Sequence, residues 1–459
     1  MKKIIFLVNI LIISIVSNAQ NHQMGEVFDP TEIENEPRQA ELLTRDYSVL
    51  PSSHSLRKWC PYPGNQGNYG TCTSWSTAYY ARTICEARDN HWTDRQQITL
   101  ETFSPTFVFT LIKSYDDTYC QKGTSTKHAL ELIWQRGVTK YKNLPYNCQS
   151  SIASALYSYA TKYKTERPVM LFTSSDLDTK KIRSVKKALA EDNPVLISFR
   201  CYDSFQNVRT DLWNGITIGE YGGHSMCVVS YDDNKYGGAF EVINSWGTSW
   251  ANQGFCWIRY SDFCKYTNYA MQMIVSKSQP VVNTVKSNSL SGSLKIQLST
   301  GEEMRGILNS GVYKISGEYI SGTRYRIYIS NNQPAYVYVI GSDLHNNVSK
   351  LFPPNDRVSP ALLYKSNNIA IPDEKWFIEM DNTIGKDYLC VLYSSEELDI
   401  NSVISKIRYS SGSFYDKLKT ALGDKLVPNS DIVFSTSGIN FSAQSDKKVA
   451  AIIAEITHK

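Results

Sequence analysis

Three short segments hold the residues best suited to covalent chemistry. The first is Asn65-Gln66-Gly67-Asn68-Tyr69-Gly70-Thr71-Cys72-Thr73-Ser74-Trp75. Its glycines make a loop that lets backbone approach a ligand closely. The loop runs into a helix expected over Thr71 to Glu86, with Trp75, Ala78, Tyr79 and Ala81 available for packing. Cys72 then stands at a helix N-terminus, where free N–H groups and the macrodipole favour an anion. A thiolate is such an anion, and the position lowers a cysteine pKa below its free value of about 8.5. Taken alone, the loop fits a buried structural thiol equally well. The second segment, Gly222-Gly223-His224-Ser225-Met226, opens a strand, and the third, Val242-Ile243-Asn244-Ser245-Trp246-Gly247, ends the next one. Each places a His or Asn at a strand edge beside glycines, where a side chain faces a cleft.

The elements around these segments follow from pattern and punctuation. Ser104-Pro105 reads as a cap and first turn of a helix to about Lys113. Thr124 to Arg136 is a helix stopped by Gly137, and Asp178 to Glu191 is another, ended by Asn193-Pro194. Strands follow at Val195–Phe199, Met226–Tyr231, Ala239–Asn244 and Phe255–Tyr260. Helices first and strands second predict an α+β domain with two unlike lobes.

In this combination the chain resembles the papain-like cysteine peptidases in their secreted bacterial form, over about residues 50–276. Leu50-Pro51, Gln66 six residues before Cys72, Ser104-Pro105, Pro145-Tyr146, Asn193-Pro194-Val195, Gly-Gly-His and Asn-Ser-Trp-Gly occur in the expected order. The resemblance implies a two-lobed fold, a helical lobe beside a β-barrel-like lobe, and a cysteine-type endopeptidase working through an acyl-enzyme. It implies that Cys72 attacks the scissile carbonyl as a thiolate and that His224 pairs with it and protonates the leaving amine. Asn244 would fix the imidazole, and Gln66 would donate to the oxyanion alongside the Cys72 N–H. Trp246 would shield the Asn–His bond from water, and Gly222 and Gly223 would contact substrate. There are departures: Thr73 follows the nucleophile where Trp is usual, Tyr69 replaces a common disulfide cysteine, and Ala251 a common glycine.

Lys2 and Lys3, the apolar run Ile4 to Val16, and Ser17-Asn18-Ala19 have the layout of a secretory signal peptide cleaved after Ala19. A secreted or periplasmic location follows, with no membrane span left once the signal is removed. Residues 20–49 carry seven acidic and two basic side chains, and read either as a disordered leader or linker or as a short inhibitory pro-segment. The formal net charge of +4, with no basic cluster, gives no electrostatic case for nucleic acid. With no C-x-x-C and scattered histidines, no metal and no cofactor is expected. Ten cysteines permit disulfides in an exported chain, with Cys256 and Cys264 as candidate members. His128 reads as a surface or packing residue, and Asp232-Asp233-Asn234 as a turn rather than a calcium loop.

Residues 277–294 read as a linker, and 295–459 as a β-rich accessory domain with strands at Arg324–Ile329 and Tyr336–Ile340 and helices at Asp399–Ile407 and Gly412–Leu422. This part resembles a bacterial domain of unknown function that accompanies peptidases, through Tyr336-Val337-Tyr338-Val339-Ile340, Leu351-Phe352-Pro353, Ile371-Pro372 and Gly385-Lys386-Asp387-Tyr388. A sandwich that engages a protein or surface partner is the implied role, with Cys390 as strand core. Two other functions compete with the peptidase: a catalytically silent peptide-binding protein of the same fold, and an amidase or acyl transferase acting on cell-wall peptides.

Overall fold

A computed structural model describes residues 22–34, 36, 38–39, 50–149, 151–275, 288–343, 347–355, 358–362, 367–373 and 376–459. The expected signal peptide at 1–19 lies outside the described residues, as does most of the expected linker.

The helical lobe is organised around one continuous helix in three segments, Cys72–Ser74, Trp75–Arg82 and Thr83–Asp89, the middle one wound with wider i→i+5 turns. Helix Pro105–Ile112 starts as expected, with the Ser104 hydroxyl accepting the Phe107 N–H. Helix Thr126–Arg136 stops at Gly137, whose φ of 79° suits glycine. The other lobe is a strongly paired sheet. Its main run places Val169–Thr173, Thr267–Gln272, Val195–Tyr202, Tyr221–Asp232, Ala239–Ile243 and Phe255–Arg259 side by side, each antiparallel to the next. One core joins the lobes: Trp75, Tyr80, Phe107 and Ile133 pack in the same buried cluster as Ile197, Met226 and Val242.

Two of these strands, Val169–Thr173 and Thr267–Gln272, have no counterpart in the sequence reading. Both are buried along their whole length, so neither shows the alternation that marks a half-buried strand. The expected disulfide role of Cys256 and Cys264 is not met. Both are free thiols, whose sulfurs contact backbone carbonyls of Trp257 and Asp178. Among the described residues the one bridge is Cys120–Cys148, between loops of the helical lobe.

The second domain opens earlier than expected. Strand Asn288–Leu298 starts inside the stretch read as linker, because pairing with Arg324–Asn331 and Ile439–Ser445 outweighs its polar composition. Together with Asn367–Ile371 and Ile432–Phe434 these strands form one sheet. A second sheet runs Gly306–Asn309, Val312–Tyr319, Val449–His458, Gly385–Ser394, Ala335–Ser342, Val348–Phe352. Ile296, Ile327, Val337, Val391 and Ile452 fill the space between the sheets. The outer face of the second sheet, with Ile340, Cys390 and Leu392, is covered by helices Ile400–Tyr409 and Phe414–Leu422. Cys390 is thus strand core, as expected. The domains touch through an Arg167–Glu397 ion pair of 3.0 Å and through the two-residue strand Arg38–Gln39, which pairs with Val358–Ser359 and with Met170.

Ile452 is fully buried between the sheets, whereas Val433 is 71% exposed. Ile452→Ala is expected to lower the unfolding free energy of this domain by about 2–5 kcal/mol. Val433→Ala should change it by less than about 0.5 kcal/mol. Equal denaturation midpoints for the two variants would contradict the assigned core.

Candidate active site

Cys72 is the first residue of its helix and is fully buried where the helix meets the sheet lobe. Backbone N–H groups of Ser225, Gly25 and Thr73 lie near its sulfur and favour its anion. Ser225 is the neighbour of His224 on strand Tyr221–Asp232, so the thiol and the imidazole share one seam. The His224 Nε2–H donates to Asn244 Oδ1 at 2.8 Å. The same oxygen accepts the Ser245 N–H at 2.8 Å, which fixes the amide with its oxygen towards the ring. His224 Nδ1 has no hydrogen-bond partner among the described residues. It is the acceptor nitrogen of this tautomer, available to take a proton. Trp246 stacks on the His224 ring at 4.5 Å, covering the Asn–His bond.

Gln66 is fully buried and held from both sides. Its backbone N–H donates to Ser245 O at 2.8 Å, and the Ser245 hydroxyl donates to its Oε1 at 2.6 Å. This leaves Nε2 as a directed donor. Ser245 was not singled out from the sequence; its place between Asn244 and Trp246 was the available signal. The structure therefore brings Gln66, Cys72, His224, Asn244 and Trp246 together, with Gly222 and Gly223 along one wall.

Residues 22–34, read as leader, run through this cleft as a strap. His22 stacks on Trp246 as well, at 4.6 Å. The Gln23 carbonyl accepts the Gln66 Nε2–H at 2.8 Å. Gly25 passes so close to Gly70 that a Cβ on it would lie 2.1 Å from the Gly70 oxygen, so only glycine fits. The strap backbone pairs with both walls: Glu26 N–H to Gly223 O at 3.0 Å, Val27 N–H to Thr124 O at 2.9 Å, and Thr124 N–H to Gly25 O at 2.8 Å. A short helix, Pro30–Glu34, then docks on helix Thr126–Arg136, with Ile33 buried, Glu32 3.2 Å from His128 and Glu36 2.9 Å from Lys127. The acidic composition that suggested disorder thus serves ion pairing to a basic helix face. His128 is the surface residue expected, with a partner the sequence did not show.

The strap changes the electrostatics. Burial pushes the Cys72 thiol up to about 12, helped by the nearby Glu26 carboxyl and opposed by the three N–H groups. Burial likewise pushes His224 down to about 4, against the Asn244 bond and with His22 adding to the fall. The lowered cysteine pKa expected from the helix N-terminus is not found in this closed state. Desolvation outweighs the helix terminus once a peptide seals the cleft. Both groups are neutral at pH 7 here.

This architecture sets a helical lobe carrying Cys72 against a sheet lobe whose strands and turns carry His224 and Asn244. The sequence model described as papain family cysteine protease matches residues 52–274, and the one described as domain of unknown function (DUF4384) matches 318–397. The chain thus carries a papain-family cysteine protease domain followed by a strand-rich DUF4384 domain. A cysteine protease of Blomia tropicalis is 23% identical over 231 residues, which make up 48% of this chain and 64% of that protein. An uncharacterized peptidase C1-like protein of Acanthamoeba polyphaga mimivirus is 24% identical over 266 residues, 53% of this chain and 80% of that one. The chain therefore spans less than two thirds of the length of the Blomia tropicalis relative. Among solved structures, xylellain, a cysteine protease from Xylella fastidiosa, superposes with a TM-score of 0.44 at 18% identity, covering 55% of this chain and 96% of that one. Digestive procathepsin L 3 of Tenebrio molitor gives 0.42 at 18% identity, covering 52% and 77%.

Docking of the strap carries opposed pH contributions. Burial raises Glu26 from its ordinary 4.5 to about 7, so it holds its proton more tightly docked than free. That contribution is full below about pH 4.5 and is lost as pH rises through 7. His22 is lowered from 6.5 to about 4, first by burial and then by Arg209. Its contribution is full above about pH 6.5 and is lost as pH falls towards 4. In the full-length Glu26→Gln variant only the histidine side remains. Exchange at the Val27 and Thr124 amides, corrected for intrinsic rates, should then accelerate as pH falls from about 6.5 to 4.5, with a smaller change in wild type. Slower exchange in the variant on acidification would overturn this account.

Proposed function

We propose that the protein is a cysteine-type endopeptidase acting on polypeptides outside the cytoplasm, held silent by its own residues 22–34 until the strap is displaced. The observation that carries this reading is a pair of groups left ready in one cleft: the free Nδ1 of an oriented His224, and the Gln66 amide already holding a peptide carbonyl of the strap.

With the strap gone, the cleft is hydrated and the cost of charge at Cys72 and His224 falls. The thiol proton passes to His224 Nδ1, giving a thiolate favoured by the helix terminus and by the Ser225 and Thr73 N–H groups. Sulfur attacks the scissile carbonyl carbon, and its oxygen moves to the Gln66 Nε2–H and the Cys72 N–H. His224 returns the proton to the leaving amine, which departs with the C-terminal product. Water enters, His224 removes a proton from it, and hydroxide releases the acyl group from sulfur.

The strap is not set for this sequence. The carbonyl on Gln66 belongs to Gln23, whereas the N–H beside the Cys72 sulfur belongs to Gly25, two residues away. This arrangement supports the pro-segment reading of the leader over the disordered one. The signal-like residues 1–19 support export.

Once the strap is displaced, an epoxysuccinyl reagent should modify Cys72 and spare the other seven free cysteines, all of them buried in the body of the fold. Gln66→Ala is expected to lower kcat roughly 10²- to 10³-fold with little change in KM. Cys72→Ala should abolish casein hydrolysis. Hydrolysis that survives in Cys72→Ala would remove the assignment, and an intact Cys72 that accepts the reagent without cutting casein would favour an amidase or a peptide-binding protein.

A further inference from the structure

The strap buries one carboxyl side chain, and its surroundings are unlike an aliphatic slot. Glu26 drops beside Cys72 into a pocket formed by both lobes. Tyr269, on strand Thr267–Gln272, donates its hydroxyl to Glu26 Oε1 at 2.6 Å. Oε2 accepts the Thr126 backbone N–H at 3.1 Å and the Thr126 hydroxyl at 2.5 Å. The Ser198 hydroxyl stands near the carboxyl and favours its anion. Behind them the Ser225 hydroxyl lies 2.8 Å from Thr126 Oγ1 and 2.7 Å from Ser76 Oγ, so the donors are themselves held.

These donors belong to the body of the domain and stay in place when the strap leaves. The leaving amine departs towards His224 and Trp246, where His22 lies. Along the strap His22 and Glu26 lie on either side of Gly25, the residue at the Cys72 sulfur. With His22 on the leaving-group side, Glu26 lies on the acyl side, and a substrate runs opposite to the strap with its residue before the scissile one in the Glu26 position. We infer that the pocket of Thr126, Ser198, Ser225 and Tyr269 recognises a glutamate side chain, so that the enzyme cuts peptides with glutamate immediately before the scissile residue, and that Glu26 is its built-in occupant. This deepens the peptidase reading and rests on it.

The chemistry discriminates in three ways. An aliphatic side chain would leave the buried Thr126 N–H and Tyr269 O–H without acceptors. Lysine or arginine would bring donors to a pocket already supplied with donors. Aspartate, one carbon shorter, would not reach Tyr269 and Thr126 together. Sites built to hydrogen-bond a substrate group reject analogues lacking it far more strongly than apolar pockets discriminate by size.

The test uses the full-length chain in two arms. In the first, a Glu26→Ala chain, with the pocket vacated, digests a randomised peptide library. Glutamate should be enriched about tenfold or more over leucine and arginine at the residue before the scissile one. Adding Tyr269→Phe or Thr126→Val should bring that ratio near parity while other peptides are still cut. Cleavage without glutamate enrichment at that residue, or enrichment unchanged by both variants, overturns the pocket and leaves the peptidase reading intact. Absence of any cleavage counts against the peptidase reading, and the second arm then decides the pocket without turnover. There, hydrogen exchange at the Val27 and Thr124 amides is compared in wild type and Glu26→Leu. Protection should fall about tenfold or more with leucine. Leucine holding the strap as well as glutamate does would overturn the inference.

Discussion

Buried hydrogen bonds across the seam between the lobes are the constraint on which the site depends. Ser245 grips the Gln66 side chain and backbone, Tyr80 donates its hydroxyl to the Asn244 carbonyl at 2.8 Å, and Ser76 meets Ser225 at 2.7 Å. Each pair joins a residue of the loop or central helix to a strand of the sheet lobe or to the turn that follows one. In a dry interface these polar groups satisfy one another or stay unsatisfied, so the register between lobes has little freedom. Reactive groups contributed by different lobes thereby keep one relative geometry.

Such a seam also explains the effect of the strap. A peptide laid along it satisfies the C=O of Gly223 and the N–H and C=O of Thr124 by adding a strand-like partner to each wall. It then removes water from Cys72 and His224, and desolvation returns both to neutrality. Inhibition in this form needs no distortion of the catalytic groups. It needs occupancy and dryness, together with a carbonyl two residues out of step with the sulfur.

The residues that make the site were legible because their neighbours are unusual: glycines beside Cys72 and His224, and Ser-Trp-Gly after Asn244. Elements with strong punctuation were legible for the same reason, as at Ser104-Pro105 and Gly137. What escaped was set by tertiary context. Strand Thr267–Gln272 mixes Thr, Asn, Tyr, Ala, Met and Gln, all buried, and so shows neither period, yet it supplies Tyr269. The strap is acidic and poor in apolar residues, and its order comes from a partner surface far along the chain, with Lys127, His128, Gly223 and Trp246 as contacts. The acidic Cys72 expected from the helix terminus is absent for a related reason: the local dipole acts beneath a segment from elsewhere in the chain that covers the thiol.

The strap is joined through residues 35–49 to the domain whose cleft it fills. It therefore competes as an intramolecular ligand, at an effective concentration that for short tethers reaches the millimolar range. A free peptide of equal intrinsic affinity, at micromolar levels, would hardly displace it. A single cut within the tether would turn the same segment into a dilute product, so the connecting chain's length and integrity set the threshold for switching on as much as the contacts in the cleft do.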